Sequence, residues 1–161
     1  MNHVTSVCFY HLWWLRQLRR HVNQAAMKQL MSAFILSRLD YCNSLLPRLP
    51  WSTIAPLQCV QNADALIILG LSSRDHVKPA LRELRWLPVM HHITFKISLL
   101  MYLVHTHCCP SYVSHILSSI SNNPFCQWLH SPDGTDFNIP CTNTKFGERA
   151  FCVSCLSHWN P

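Results

Sequence analysis

The stretch AAMKQLMSAFILSRLDYCNSL, residues 25–45, decides the fold class. Met27, Leu30, Met31, Phe34, Ile35, Leu39 and Cys42 recur at spacings of three and four, while Lys28, Gln29, Ser32, Arg38 and Asp40 fall between them. On a helix that spacing collects the apolar side chains on one face, so the stretch is expected to form an amphipathic helix walling a core. The same period extends outward in both directions. Residues 6–20 place Leu12, Leu15 and Leu18 among Arg16, Arg19 and Arg20, with Trp13 and Trp14 widening the apolar surface. Beyond Pro47 and Pro50, a third helix is expected to run to Leu69, capped by Ser52 or Thr53 and by Gly70, with Pro56 in its first turn. Its inner stripe reads Leu57, Val60, Asp64, Ile67 and Ile68, which puts a carboxylate where an apolar side chain belongs and where burial without a partner is costly. Pro79 opens a short fourth helix with Leu81 and Leu84, and Pro88 a fifth over residues 89–106 that is apolar on most sides and therefore central. Pro110 opens a sixth, with Tyr112, Val113, Ile116 and Leu117 inward.

The expected fold is a mainly α bundle of about six helices over residues 1–120, followed by an irregular tail rich in Cys, Pro and Ser over residues 121–161. In the tail, residues 131–134 (Ser-Pro-Asp-Gly) read as a turn. Residues 137–139 and 150–153 are the strand candidates, together a small β-hairpin.

Composition excludes several classes. Among 161 residues, 49% are apolar and only 12% charged, against a usual charged share of about 25%, so disorder is not expected. The longest strongly apolar run, residues 99–104, falls short of the roughly 20 residues of a membrane-spanning helix. The N-terminus lacks a basic region before its apolar stretch, so a cleaved secretion signal is not expected either. An intracellular site, cytoplasmic or nuclear, follows as the expectation, and the nine cysteines then read as thiols. The net charge is +6, and it is uneven. Residues 1–50 carry Arg16, Arg19, Arg20, Lys28, Arg38 and Arg48 against Asp40 alone, so contact with a polyanion should favour that third of the chain.

Five blocks carry a resemblance. They are residues 37–46 (Ser-Arg-Leu-Asp-Tyr-Cys-Asn-Ser-Leu-Leu), 57–63 (Leu-Gln-Cys-Val-Gln-Asn-Ala), 81–89 (Leu-Arg-Glu-Leu-Arg-Trp-Leu-Pro-Val), 144–151 (Thr-Lys-Phe-Gly-Glu-Arg-Ala-Phe) and the closing Trp159-Asn160. In order and over nearly the whole chain, these resemble the region downstream of the polymerase core in LINE-type, non-LTR retrotransposon reverse transcriptases. The resemblance implies a thumb-and-beyond fragment, whose helices in an intact enzyme help hold a template-primer duplex and lean on a polymerase palm that this sequence lacks. It also locates departures. Cys59, Cys126, Trp128, His130, Cys141 and one of Trp13 and Trp14 stand where the family carries Arg, and Asp64 where it carries a small apolar residue. Cys, Trp and His arise from Arg codons by single transitions, so the pattern suggests a decayed copy that has lost phosphate-binding donors.

Candidate chemistry is sparse. Polymerisation by this family needs adjacent aspartates and a further carboxylate to clamp two metal ions. The five aspartates here are Asp40, Asp64, Asp75, Asp133 and Asp136, with no adjacent pair. The closest two, Asp133 and Asp136, belong to the turn and read as solvated carboxylates. No cofactor and no catalytic residue is expected. Cys152 and Cys155 have zinc-ligand spacing, and Cys126, His130, Cys141 or His158 could complete a site, but a single Cys-x-x-Cys is a poor zinc signal and chance clustering explains it better. The cluster His105, His107, Cys108 and Cys109 reads the same way.

The candidate binding set is Arg16, Arg19, Arg20, Lys28 and Arg38 along a phosphate backbone of RNA or DNA, with Trp13 or Trp14 stacking on exposed bases; the alternative is a solvated basic face with both tryptophans in the core. An interfacial membrane helix fits the same residues less well, and no membrane partner is expected. A different class of function is a domesticated helical module that binds a protein, or itself, through uncovered apolar faces. The missing carboxylates predict that purified protein incubated with primer, template, nucleotides and Mg²⁺ leaves the primer unextended; templated synthesis would overturn the resemblance's implication of a fragment without its catalytic centre.

Overall fold

Met27, Met31, Ile35 and Leu39 are all buried in the computed structural model of the chain, which describes residues 2–117, 137 and 139–160. Their strict four-residue spacing does not suit a regular α-helix, in which each step of four overshoots a full turn by about 40° and three steps drift by about 120°. The chain resolves this with a π turn. Helix α2 (Gln24–Met31) passes into a π segment at Ser32–Leu36, where the Ser37 N–H reaches back to the Ser32 carbonyl, and continues as α3 (Ser37–Asp40). The wider turn absorbs most of the drift and holds the four side chains in one seam. The expected single helix over 25–45 is thus three segments plus a 3₁₀ turn at Asn43–Leu45. Leu30 is half-buried, and Phe34 and Cys42 are exposed instead of inward. Asn23 caps the start, its Oδ1 accepting from the Ala26 N–H at 2.8 Å.

About six helices of useful length form, and no strand is present among the described residues. The chain divides into two units, residues 1–43 with 49–92, and residues 44–48 with 93–161. The expected boundary at 120/121 and the turn at 131–134 lie outside the described residues.

In the first unit, α1 (Asn2–Leu18) buries Cys8, Leu12 and Leu15, and α4 (Trp51–Leu69) buries Ile54, Leu57, Val60, Ala65, Leu66 and Ile68. Helix α4 starts earlier than expected, so Pro56 falls in its second turn, where it gives up the bond its N–H would make to the Ser52 carbonyl. Gly70 ends the helix at φ +73°, with its N–H on the Ile67 carbonyl at 3.3 Å and the Leu71 N–H on the Leu66 carbonyl at 2.9 Å. Helix α5 (Val77–Leu84) buries Ala80, Leu81 and Leu84 and ends in the same left-handed cap, although the residue there is Arg85 at φ 57°.

The link from α5 to α6 (Val89–His105) is held by amides of α4. The Gln61 Nε2 donates to the Leu87 carbonyl at 2.8 Å, and the Val89 N–H donates to Gln58 Oε1 at 2.9 Å. Gln58 Nε2 in turn donates to Gln61 Oε1 and Asn62 Oδ1. The clamp satisfies one of the N–H groups that a helix start leaves without an intrahelical partner. At the same end of α6, His92 Nδ1 lies 2.8 Å from Asp40 Oδ1.

Helix α6 buries only Val89, Ile93, Ile97, Met101 and Val104. Its apolar character on most sides predicts a central helix, but Phe95 and Leu99 of that apolar set are exposed, as is Tyr102. The stretch Val77–His105 is long and apolar enough, by length and composition, to cross a membrane, with mean hydropathy 1.4 over 18 residues of which 28% are buried. Counting unbroken apolar residues hides it, because His91, His92, Thr94, Lys96 and Ser98 interrupt the run.

In the second unit, α6 closes in another left-handed cap at His107, and α7 (Ser111–Ile116) follows Pro110. Tyr112, expected inward, is 68% exposed, whereas Leu117 is buried. The hairpin does not form. Residues 150–153 enter helix α8 (Phe151–Ser154), followed by α9 (Leu156–Trp159), and bury Val153, Cys155 and Leu156. Phe137 is held by Asn160: its Nδ2 donates to the Phe137 carbonyl at 2.8 Å and its Oδ1 accepts from the Phe137 N–H at 3.2 Å.

The expected anomaly of α4 is real. Asp64 is fully buried, and neither carboxylate oxygen has a hydrogen-bond partner among the described residues. Burial pushes its pKa up to about 7 from an ordinary 3.8. The folded state therefore holds a proton that the unfolded chain has already released, so stability falls as pH rises from about 4 to about 7 and stays low above it, by on the order of 4 kcal/mol. Asp64→Ala is expected to raise the urea midpoint at pH 8 and leave it nearly unchanged at pH 3.5. Equal midpoint gains at both pH values would show that the cost is not ionisation.

Candidate nucleic-acid interface

Helix α1 carries apolar side chains on every side, and the seam together with α4 covers only part of them. Cys8, Leu12 and Leu15 turn inward, which leaves Phe9, Tyr10, Trp13, Trp14 and Leu18 outside. Trp13 is 58% exposed and Trp14 48%, so the alternative that placed both tryptophans in the core does not hold. The rings touch one another. Trp13 and Trp14 meet edge to face at 5.1 Å between centroids, Tyr10 and Trp14 at 6.5 Å, and Tyr10 and His11 at 5.8 Å. His11 also packs against Phe34 of the π turn at 5.7 Å. Roughly 100 Å² of each tryptophan faces water, which forgoes on the order of 2 kcal/mol of burial per ring.

Phe9, Trp13 and Arg16 lie at i, i+4 and i+7, so they form one ridge of α1. The His11–Phe34 contact, together with Arg38 beside Val4 and Val7, shows that α1 runs antiparallel to α2 and α3. By that register Lys28 lies near the Arg16 end. Lys28 is exposed on an outer strip with Ala25, Gln29, Ser32 and Ala33, over an open depression of about 660 Å³. One side of a single helix encloses nothing, so the depression is surface, not a ligand cavity.

The five expected binding residues do not form one cluster. Arg16, Arg20 and Lys28 are exposed at one end of the α1–α2 pair. Arg19 is committed elsewhere: its guanidinium lies where a Cβ on Gly70 would stand, over the left-handed cap of α4. A cation there faces the negative end of the helix dipole. Arg38 sits roughly 15 Å along α1 from Arg16, beside His3, Val4, Val7, Ser37 and Tyr41 in a separate depression of about 320 Å³. Burial pushes the nearby Cys8 thiol up, which the Arg38 charge partly offsets and the Asp64 charge reinforces. The stacking surface of Tyr10, Trp13 and Trp14 was only half legible in sequence. The signal for it was that α1 is apolar all round, which guarantees exposed apolar residues on any helix covered on one side.

No metal site assembles among the described residues, in the sense that no three His, Cys, Asp or Glu side chains come together. Cys155 is buried, and burial pushes its thiol up to about 12, away from the thiolate a metal needs. Cys126 and His130 lie outside the described residues. His105 packs against the Trp159 ring at 5.8 Å. No protein-family model matches the chain, nor does any curated protein or solved structure.

Gly70→Ala tests the placement of Arg19. The left-handed φ and the collision with the guanidinium should together cost about 1–2 kcal/mol in urea unfolding, with part of that cost relieved in a background of Arg19→Ala. A double variant no less destabilised than the sum of the two singles would remove Arg19 from the cap.

Proposed function

We propose that this chain is a fragment of a non-LTR retrotransposon reverse transcriptase, from the thumb and beyond, without its catalytic centre, and that it binds nucleic acid weakly and without sequence preference. Arg16, Arg20 and Lys28 supply the main phosphate contacts, with Arg38 as an outlier and Arg19 contributing only when released from α4. The observation that carries the reading is a mismatch of residue type with environment at the very positions where the resemblance marks a departure. Cys59, Cys141, Trp13 and Trp14 are exposed, as Arg would be, and Asp64 is buried without a partner, where the family carries a small apolar residue. Free Cys is ordinarily among the most buried residue types, and a position once held by Arg accounts for the exposure of Cys59 and Cys141. Further support comes from two family-like blocks that touch: Gln58 and Gln61 of one bond Val89 and Leu87 of the other. An intracellular site accords with this origin.

A second reading, a helical module that binds a protein or a second copy of itself, is favoured by the exposed apolar side of α1 and by Phe95, Leu99 and Tyr102 on α6. Salt separates the two. A labelled hairpin RNA should bind with affinity falling steeply as salt rises, and Arg16→Ala with Arg20→Ala should lower the slope of log K against log salt by roughly 0.9 for each phosphate no longer neutralised. Salt-independent self-association with no shift of the RNA would favour the module.

A further inference from the structure

We infer that the α1 ridge selects single-stranded over duplex nucleic acid, by stacking unpaired bases on Trp13, Trp14 and Tyr10 while Arg16 and Arg20 take the adjoining phosphates. The inference rests on the nucleic-acid reading above and deepens it. Three observations point the same way. First, the rings protrude: Trp13 and Trp14 are about half exposed and nearly perpendicular to each other, with an interplanar angle of 79°. Each edge-to-face pair leaves ring faces open to solvent, and a base has a π-face to offer whatever its sequence. A paired duplex presents only backbone and groove edges, so protruding rings would have to unstack it to gain the same contact. Second, the charge is of one sign. Residues 1–39 hold no Asp or Glu, and Arg16, Arg20 and Lys28 are exposed at one end of the α1–α2 pair, so the charge there favours an anionic partner. Third, a cation shares a ridge with one of the rings: Arg16 lies three residues from Trp13 and seven from Phe9, and the Trp13–Trp14 contact at 5.1 Å continues the aromatic surface around the helix from there.

The probes are fluorescein-labelled (dT)20, (rU)20 and a 20-base-pair DNA duplex, each titrated against the full chain at fixed salt, alongside vesicles of phosphatidylcholine with phosphatidylserine. The single strands should bind at least about tenfold tighter than the duplex and quench indole emission. Trp13→Leu and Trp14→Leu keep apolar bulk but remove the planar face. Each should weaken single-strand binding about tenfold and leave duplex binding unchanged, and Trp13→Phe should restore most of the affinity. Because both side chains are exposed, far-UV circular dichroism should match the wild type. Equal or tighter duplex binding, with the Leu variants behaving as wild type, overturns the single-strand preference while leaving the phosphate reading intact. Binding of neither nucleic acid overturns both, and vesicle binding in that case assigns the ridge to a lipid surface.

Discussion

The architecture of the first unit depends on a narrow seam. Four side chains, Met27, Met31, Ile35 and Leu39, are spaced four apart, and only the π turn between them keeps the set on one side. That seam and α4 together cover one side of α1, which turns Cys8, Leu12 and Leu15 inward. The exposed surface of α1 follows by subtraction. A helix apolar on all sides, docked on one, must leave the remainder in water, and here the remainder is Tyr10, Trp13 and Trp14 beside Arg16.

The amide clamp of α4 is the second constraint. Glutamines are poor candidates for a core, yet Gln61 is buried because its amide reaches the Leu87 carbonyl, and Gln58 supplies the acceptor that the first N–H of α6 would otherwise lack. The blocks 57–63 and 81–89 read in sequence as separate motifs. In the fold they are two halves of one arrangement, which gives the spacing of their polar residues a mechanical cause. Asp64 is the opposite case. It occupies the same helix with no partner, so its carboxylate costs stability where the glutamines add it.

Several left-handed caps illustrate how far local signals reach. Gly70 announced its cap because glycine adopts positive φ without steric cost. Arg85 and His107 adopt nearly the same backbone and close α5 and α6 with the same pair of hydrogen bonds, although neither residue type signals it. Here the cap forms without the residue type that favours it. Pro56 is similar: α4 begins at Trp51, earlier than a cap at Ser52 or Thr53 would set it, and that start puts the proline in the second turn.

The sequence alone determined that the chain is helical, where most helices lie, that Asp64 would be an anomaly, and that basic charge gathers in the first third. These properties reside in periodicity, capping and composition, which act over a few residues or over none. Tertiary structure decided which stripe of each apolar helix is covered, and so put Trp13, Trp14, Phe95 and Tyr112 in water. It also spent Arg19 on the end of α4, parted Arg38 from Arg16, and made residues 150–153 helical instead of a strand. The reason is that an apolar side chain is equally content against any apolar neighbour. Only the meeting of helices distant in sequence, and the geometry of the seam between them, chooses which neighbour it gets.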